Sequence, residues 1–302
     1  MKLSNIVCLV LMVFSVLSYA DDSELNKKIS NCNQLVKDGN SEKALEESAI
    51  LLKKNQNNRE LVLCKARAQM SLEKFADAVP TLTTVLKLSS APNEQMMALA
   101  MLGNAYKGNQ QFNEAATQYQ LSMDIAKAQK NKSFERITYG LLGELQILSN
   151  QLDEAVSNYQ SALKLSLNDN ERADAFEHLA YIYNKQQKHD QAIEYQLKAT
   201  LAYTHYGDLD TQANAGLELG RIYMEAGDLA QAERSINKIL KLAVDNGGAY
   251  WEAKSNLYLA KLKITSKQDP DAYIQAAQRI NKDLQDPSLQ DELNKLQGML
   301  SK

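Results

Sequence analysis

Three histidines, two cysteines beyond residue 20 and many carboxylates are the residues of this chain with chemistry to offer. His178, His189 and His205 stand apart, and no two share a helical metal-binding spacing such as His-Glu-x-x-His. Gly103 to Gly108 lacks the Lys-Ser/Thr that would make it a phosphate loop, and there is no Gly-x-Ser-x-Gly elbow. Carboxylates scattered over helix surfaces are ordinary solvation. Trp251 is the sole tryptophan, which argues against a carbohydrate-stacking cleft. The expectation is therefore no enzyme, no cofactor and no metal. Cys32 and Cys64 leave two readings open, a disulfide in an oxidising compartment or two small buried thiols.

The N-terminus bears on that compartment. Lys2 precedes an unbroken apolar run from Ile6 to Phe14, and Ser18-Tyr19-Ala20 places small residues where a signal peptidase reads. The run falls short of the roughly 17–25 apolar residues a membrane span needs. Residues 1–20 are expected to be a cleaved signal peptide, and the mature protein to be periplasmic or secreted, without membrane insertion. The formal net charge of −3 has no strong sign and no block of like charges stands out. Nucleic acid, which calls for a basic patch or stripe, is not an expected partner.

The elements that would position any site are helices. Long stretches free of Gly and Pro are filled with Ala, Leu, Gln, Glu and Lys, all good helix formers. A frame of alanines runs through them at Ala44, Ala78, Ala115, Ala155, Ala192, Ala232 and Ala272. Twelve residues before each lies a small residue: Cys32, Ala66, Gly103, Gly143, Ala180, Gly220 and Ala260. A glycine inside a helix costs about 1 kcal/mol relative to alanine, so its recurrence needs a reason, and close approach of two helix backbones supplies it. Turn residues such as Asn150-Gln151 and Gly227-Asp228 separate the paired helices, and Phe75, Phe112, Leu152 and Leu229 follow to staple the turn to the core.

Leu102-Gly103-Asn104-Ala105-Tyr106 and Leu219-Gly220-Arg221-Ile222-Tyr223, each followed by its alanine twelve residues after the glycine, resemble the tetratricopeptide repeat family. Spacings of 37 and 40 residues between the frame alanines resemble its longer variant. The resemblance implies an all-α solenoid, a right-handed superhelix of about seven helix-turn-helix repeats. Their approximate limits are 25–58, 59–95, 96–135, 136–172, 173–212, 213–252 and 253–286. Asp286-Pro287 then opens a capping helix over 287–302, with an apolar stripe of Leu289, Leu293, Leu296 and Leu300.

In that family the residue after each small site lines the groove where peptides bind. Here the row includes Arg67, Asn104, Glu144, Tyr181, Arg221 and Lys261, with Asn184 three residues after Tyr181. Four residues before the row lie Ile29, Leu63, Ala100, Gly140, Glu177, Leu217 and Leu257. Arg67, Arg221 and Lys261 make an acidic or extended polypeptide the expected occupant. The function implied is a protein-interaction scaffold or assembly factor in the bacterial periplasm, binding a protein or peptide. The alternatives are a peptide-sensing regulatory solenoid and, less favoured, an accessory or enzyme of cell-wall metabolism. Oligomeric state does not follow from these residues.

Overall fold

The computed structural model describes residues 24–300, of which 205 and 206 are described by their backbone alone. The signal peptide expected at 1–20 lies outside the described residues, as do the last two residues of the expected cap. Every regular element among the described residues is a helix. Helix α1 covers 24–37. It is followed by α2 (Ser41–Leu52), α3 (Arg59–Ser71), α4 (Phe75–Leu88), α5 (Pro92–Gly108), α6 (Phe112–Ala128) and α7 (Lys132–Leu148). Then come α8 (Leu152–Leu165), α9 (Asp169–Lys185), α10 (His189–Tyr206), α11 (Leu209–Glu225), α12 (Leu229–Asp245), α13 (Ala249–Thr265), α14 (Asp271–Leu284) and α15 (Pro287–Leu300). The chain forms two compact units that divide between Thr138 and Tyr139, inside α7.

Within each unit, consecutive helices pack as hairpins, the all-α solenoid arrangement, and α11 also touches α13. All seven small sites are buried, and so are the first six frame alanines. The glycines make room for large side chains of the next helix. A Cβ on Gly103 would lie 2.4 Å from the Tyr119 ring, one on Gly143 2.5 Å from Tyr159, and one on Gly220 2.6 Å from Ile236. The turns inside the hairpins share one device. A residue with positive φ ends the first helix, as at Gln187 (59°) and Gly227 (82°). The amide of the next residue then donates back five positions, Lys188 to the Tyr183 carbonyl at 2.9 Å and Asp228 to that of Tyr223 at 2.9 Å.

One frame position is displaced. Ala272 is exposed, and Ile274, two residues later, is buried in its place at the fourth position of α14. Ala232 holds that position in α12 and Ala192 in α10. Asp269-Pro270 lengthens the last turn by the same two residues, which moves the buried register onward. The helix after it, α15, is capped by Asp286, whose Oδ1 accepts from the Leu289 amide at 3.1 Å. Leu289, Leu293 and Leu296 are buried against α13 and α14, whereas Leu300 is exposed.

Cys32 of α1 and Cys64 of α3 form a disulfide, with their Cα atoms 6.3 Å apart. That separation lies inside the range a disulfide spans without moving the backbone.

Candidate functional site

Residues four apart on a helix share a face, so the row after the small sites and the row four positions earlier lie side by side. In the second unit these rows come from α7, α9 and α11, and between them lies a cavity of about 450 Å³. Its walls are Glu144, Ile147 and Leu148 of α7, Glu177, His178 and Tyr181 of α9, Gln196 of α10, and Asn214 and Glu218 of α11. Two of its apolar residues reach solvent: Leu148 is 59% exposed and Tyr181 40%.

The polar groups are held from behind. Glu177 accepts a hydrogen bond from the Tyr203 hydroxyl at 2.9 Å. Burial pushes the Glu177 carboxyl above its ordinary value, against the opposing pull of that hydrogen bond and of His178. His178 lies 2.9 Å from the Asp174 carbonyl through Nδ1, which makes that nitrogen the protonated one. Its ring stacks on Tyr159 with centroids 4.4 Å apart. Tyr159 is 1% exposed, and its hydroxyl has no hydrogen-bond partner among the described residues. Burial, then the charges of Glu144 and Asp174, push its proton affinity up.

A second, larger cavity of about 760 Å³ adjoins the first along α9 and α11, lined by Tyr181, Asn184, Lys185, His189, Glu218, Arg221 and Glu225 among others. It is cross-tied. Arg221 bonds Glu218, through Nε at 2.8 Å, and also Glu225. The Asn184 amide donates to Glu225 at 2.6 Å and its carbonyl oxygen faces His189 Nδ1 at 3.0 Å. Burial pushes the Glu225 carboxyl up, but Asn184 and Arg221 outweigh it and hold it below the usual range.

Of the candidate residues, the structure brings together Glu144, Tyr181, Asn184 and Arg221. Arg67 and Asn104 belong to the first unit, where the Arg67 guanidinium donates to Asn33 at 2.7 Å and Asn104 accepts from the Tyr119 hydroxyl at 2.6 Å. Lys261 is exposed on α13, 5.9 Å from the Tyr258 ring centroid. The residues on which the expectation of an acidic or extended occupant rested are not gathered into one basic site. Arg221 is consumed by Glu218 and Glu225, and the first cavity presents Glu144, Glu177 and Glu218 with no Lys or Arg among its lining residues. Glu177 stands out in its row, the other six members being uncharged, and that signal was available in the sequence. His178, Tyr159 and Tyr203 had no such signal, because their roles arise from packing between helices. Among the described residues no three His, Cys, Asp or Glu side chains gather to hold a metal, and no helix is long and apolar enough to cross a membrane.

A helical-hairpin solenoid with a lined groove defines a class of repeat protein. The tetratricopeptide repeat family matches residues 142–204 and, through a second pattern, residues 217–246, so the chain carries tetratricopeptide repeats and both cavities lie largely within them. Solved structures agree on the fold. The apo form of RapI is similar over 92% of this chain and 82% of its own, with a TM-score of 0.70 and 13% identity. A signal transduction ATPase with numerous domains and a tetratricopeptide repeat sensor, from Pyrococcus horikoshii, is similar over 89% of this chain and 43% of its own (TM-score 0.68, 18% identity). BtubC from P. vanneervenii is similar over 74% and 92% (TM-score 0.57, 17% identity). No curated protein sequence matches the chain.

Proposed function

We propose that this protein is a non-catalytic interaction scaffold or assembly factor that binds a polypeptide along the α7, α9 and α11 face of its second unit. Tetratricopeptide repeats are in general platforms for protein partners, and the observation that carries the reading here is the lined cavity. It combines exposed apolar side chains, Leu148 and Tyr181, with polar groups fixed from behind. A pre-formed concave site of a few hundred Å³ with few, well-placed polar groups is what a docking residue needs. Affinity would come from one or two anchors in that site rather than from total area.

The reading is tested by placing a photo-crosslinking amino acid in the cell at Leu148, at Tyr181 or at Leu201, which is exposed on α10. One polypeptide crosslinked from Leu148 and Tyr181 and absent from Leu201 is the expected result. Crosslinks from Leu201 alone, or none from the groove positions, would overturn it. The Cys32–Cys64 disulfide and residues 1–20 support a periplasmic site of action in a bacterium. The mass of the chain recovered from the periplasm should begin at Asp21. An intact chain confined to the cytosol would refute export.

A further inference from the structure

We infer that the cavity between α7, α9 and α11 receives one arginine side chain of the bound polypeptide, its guanidinium held by Glu144 and Glu177 and its stem packed on Ile147 and Leu148. The inference rests on the groove reading and adds the chemistry of the residue that is held.

Charge is the first ground. Three carboxylates line the cavity, and the guanidinium of Arg221 is already shared by Glu218 and Glu225 on its far side. Glu177 has the Tyr203 hydroxyl as its hydrogen-bond donor and no ion-pair partner among the described residues. A half-buried carboxylate in that state is costly, and a cation entering the cavity would relieve it. The whole second unit leans the same way, with 17 Lys and Arg against 23 Asp and Glu from residue 139 onward.

The second ground is an unsatisfied polar group beside the cavity. The Tyr159 hydroxyl is buried and unpartnered, which costs about 1–3 kcal/mol unless something satisfies it. Its ring lies against His178, a wall of the cavity, and its oxygen feels the Glu144 carboxylate, another wall. An unsatisfied polar group thus stands behind the Glu144 and His178 wall of the cavity.

Geometry selects arginine over lysine. Two carboxylates from different helices lining one cavity ask for several donors in a fixed fork, which guanidinium supplies and ammonium does not. Guanidinium is also more weakly hydrated, so it loses less on entering a half-buried site. Ile147 and Leu148 offer apolar surface to its three-carbon stem.

The test uses fluorescent heptapeptide mixtures with a fixed central residue and randomised flanks, and reads binding by anisotropy. The centre is arginine, lysine, glutamate or citrulline, the last being nearly isosteric with arginine but neutral. The arginine mixture should bind at least about tenfold more tightly than the citrulline and glutamate mixtures, the scale of one charge-assisted hydrogen bond. Glu177→Gln and, separately, Glu144→Gln should each remove most of that preference, and circular dichroism with thermal melting shows that each variant is folded. If all four mixtures bind alike and Leu148→Ala weakens them together, the groove reading stands and the arginine inference falls. If no mixture binds, both fall. A preference for arginine that survives in both glutamine variants would place the cation elsewhere and overturn the inference.

Discussion

In the first unit Gly103 of α5 makes room for the Tyr119 ring of α6, and in the second Gly143 of α7 makes room for the Tyr159 ring of α8. The residue after the glycine differs. Asn104 accepts the Tyr119 hydroxyl at 2.6 Å and closes the contact. Its counterpart is Glu144, and the Tyr159 hydroxyl is left without a partner. The charge balance differs too, with 16 Lys and Arg against 12 Asp and Glu between residues 24 and 138, the reverse of the sign in the second unit. The same packing solution therefore serves two ends. At this contact the first unit closes the tyrosine hydroxyl on its own asparagine, and the second leaves it unpartnered among the described residues.

The largest expected effect sharpens the contrast in how each unit is held. The disulfide links residues 32 apart in sequence and lies wholly in the first unit. Cys64→Ser should cost that unit about 3–4 kcal/mol through the restored freedom of the unfolded loop. Hydrogen exchange should show α1 to α4 losing protection while α9 to α14 keep theirs. Equal loss in both would mean that they unfold as one and would break the comparison.

Next come the glycines. Gly103→Ala and Gly143→Ala each drive a methyl into a fully buried tyrosine ring, so each should cost about 2–3 kcal/mol in thermal or urea unfolding. Gly140→Ala, one turn earlier in α7 with nothing within 4 Å of the new Cβ, should instead stabilise by up to about 1 kcal/mol. A similar cost at all three would show that these glycines answer to backbone flexibility rather than to ring clearance.

Smaller and of opposite sign are the two tyrosines. Tyr119→Phe breaks a satisfied hydrogen bond and should cost about 1 kcal/mol. Tyr159→Phe removes a buried hydroxyl that has no partner and should gain about 1 kcal/mol. Unfolding of the two variants side by side decides it, and a loss at both would mean that Tyr159 is satisfied in solution.

How much of this was legible in the sequence follows from the range of each interaction. The frame of small residues and alanines could be read because backbone contact tolerates few side chains, so it prints the same types at a fixed spacing. It failed at Ala272, where Asp269-Pro270 inserts two residues and burial passes to Ile274. Which rows face the groove was also legible, since helical geometry fixes it. The partners of Arg67 and Arg221 were legible to different degrees. For Arg221 the partners stand three residues before and four after it, at Glu218 and Glu225, where helical pairing is expected. Arg67 is tied to Asn33, one repeat earlier, and only packing reveals that. The unpartnered Tyr159 hydroxyl depends on three helices at once and leaves no local trace.

The smallest expected effect concerns Glu177 and pH. The groups around it are His178 and Asp174 of its own helix, Tyr203 of α10 and Glu218 of α11, and burial outweighs the favourable ones among them. Its carboxyl therefore holds its proton to a higher pH in the folded chain than in the unfolded one. Over the window between the two values the folded state binds more protons, so its stability rises as pH falls and is lost as pH rises through the folded value. Glu177→Gln removes this loss. The variant should melt close to the wild type near pH 4 and progressively above it toward pH 7. No corresponding trend should appear for Asn104→Asp in the first unit, where the Tyr119 hydroxyl stands ready to donate to the new carboxylate. If Glu177→Gln tracks the wild type across the whole range, the carboxylate is already compensated in the free protein, and the contrast between Tyr119 and Tyr159 does not extend to Glu177.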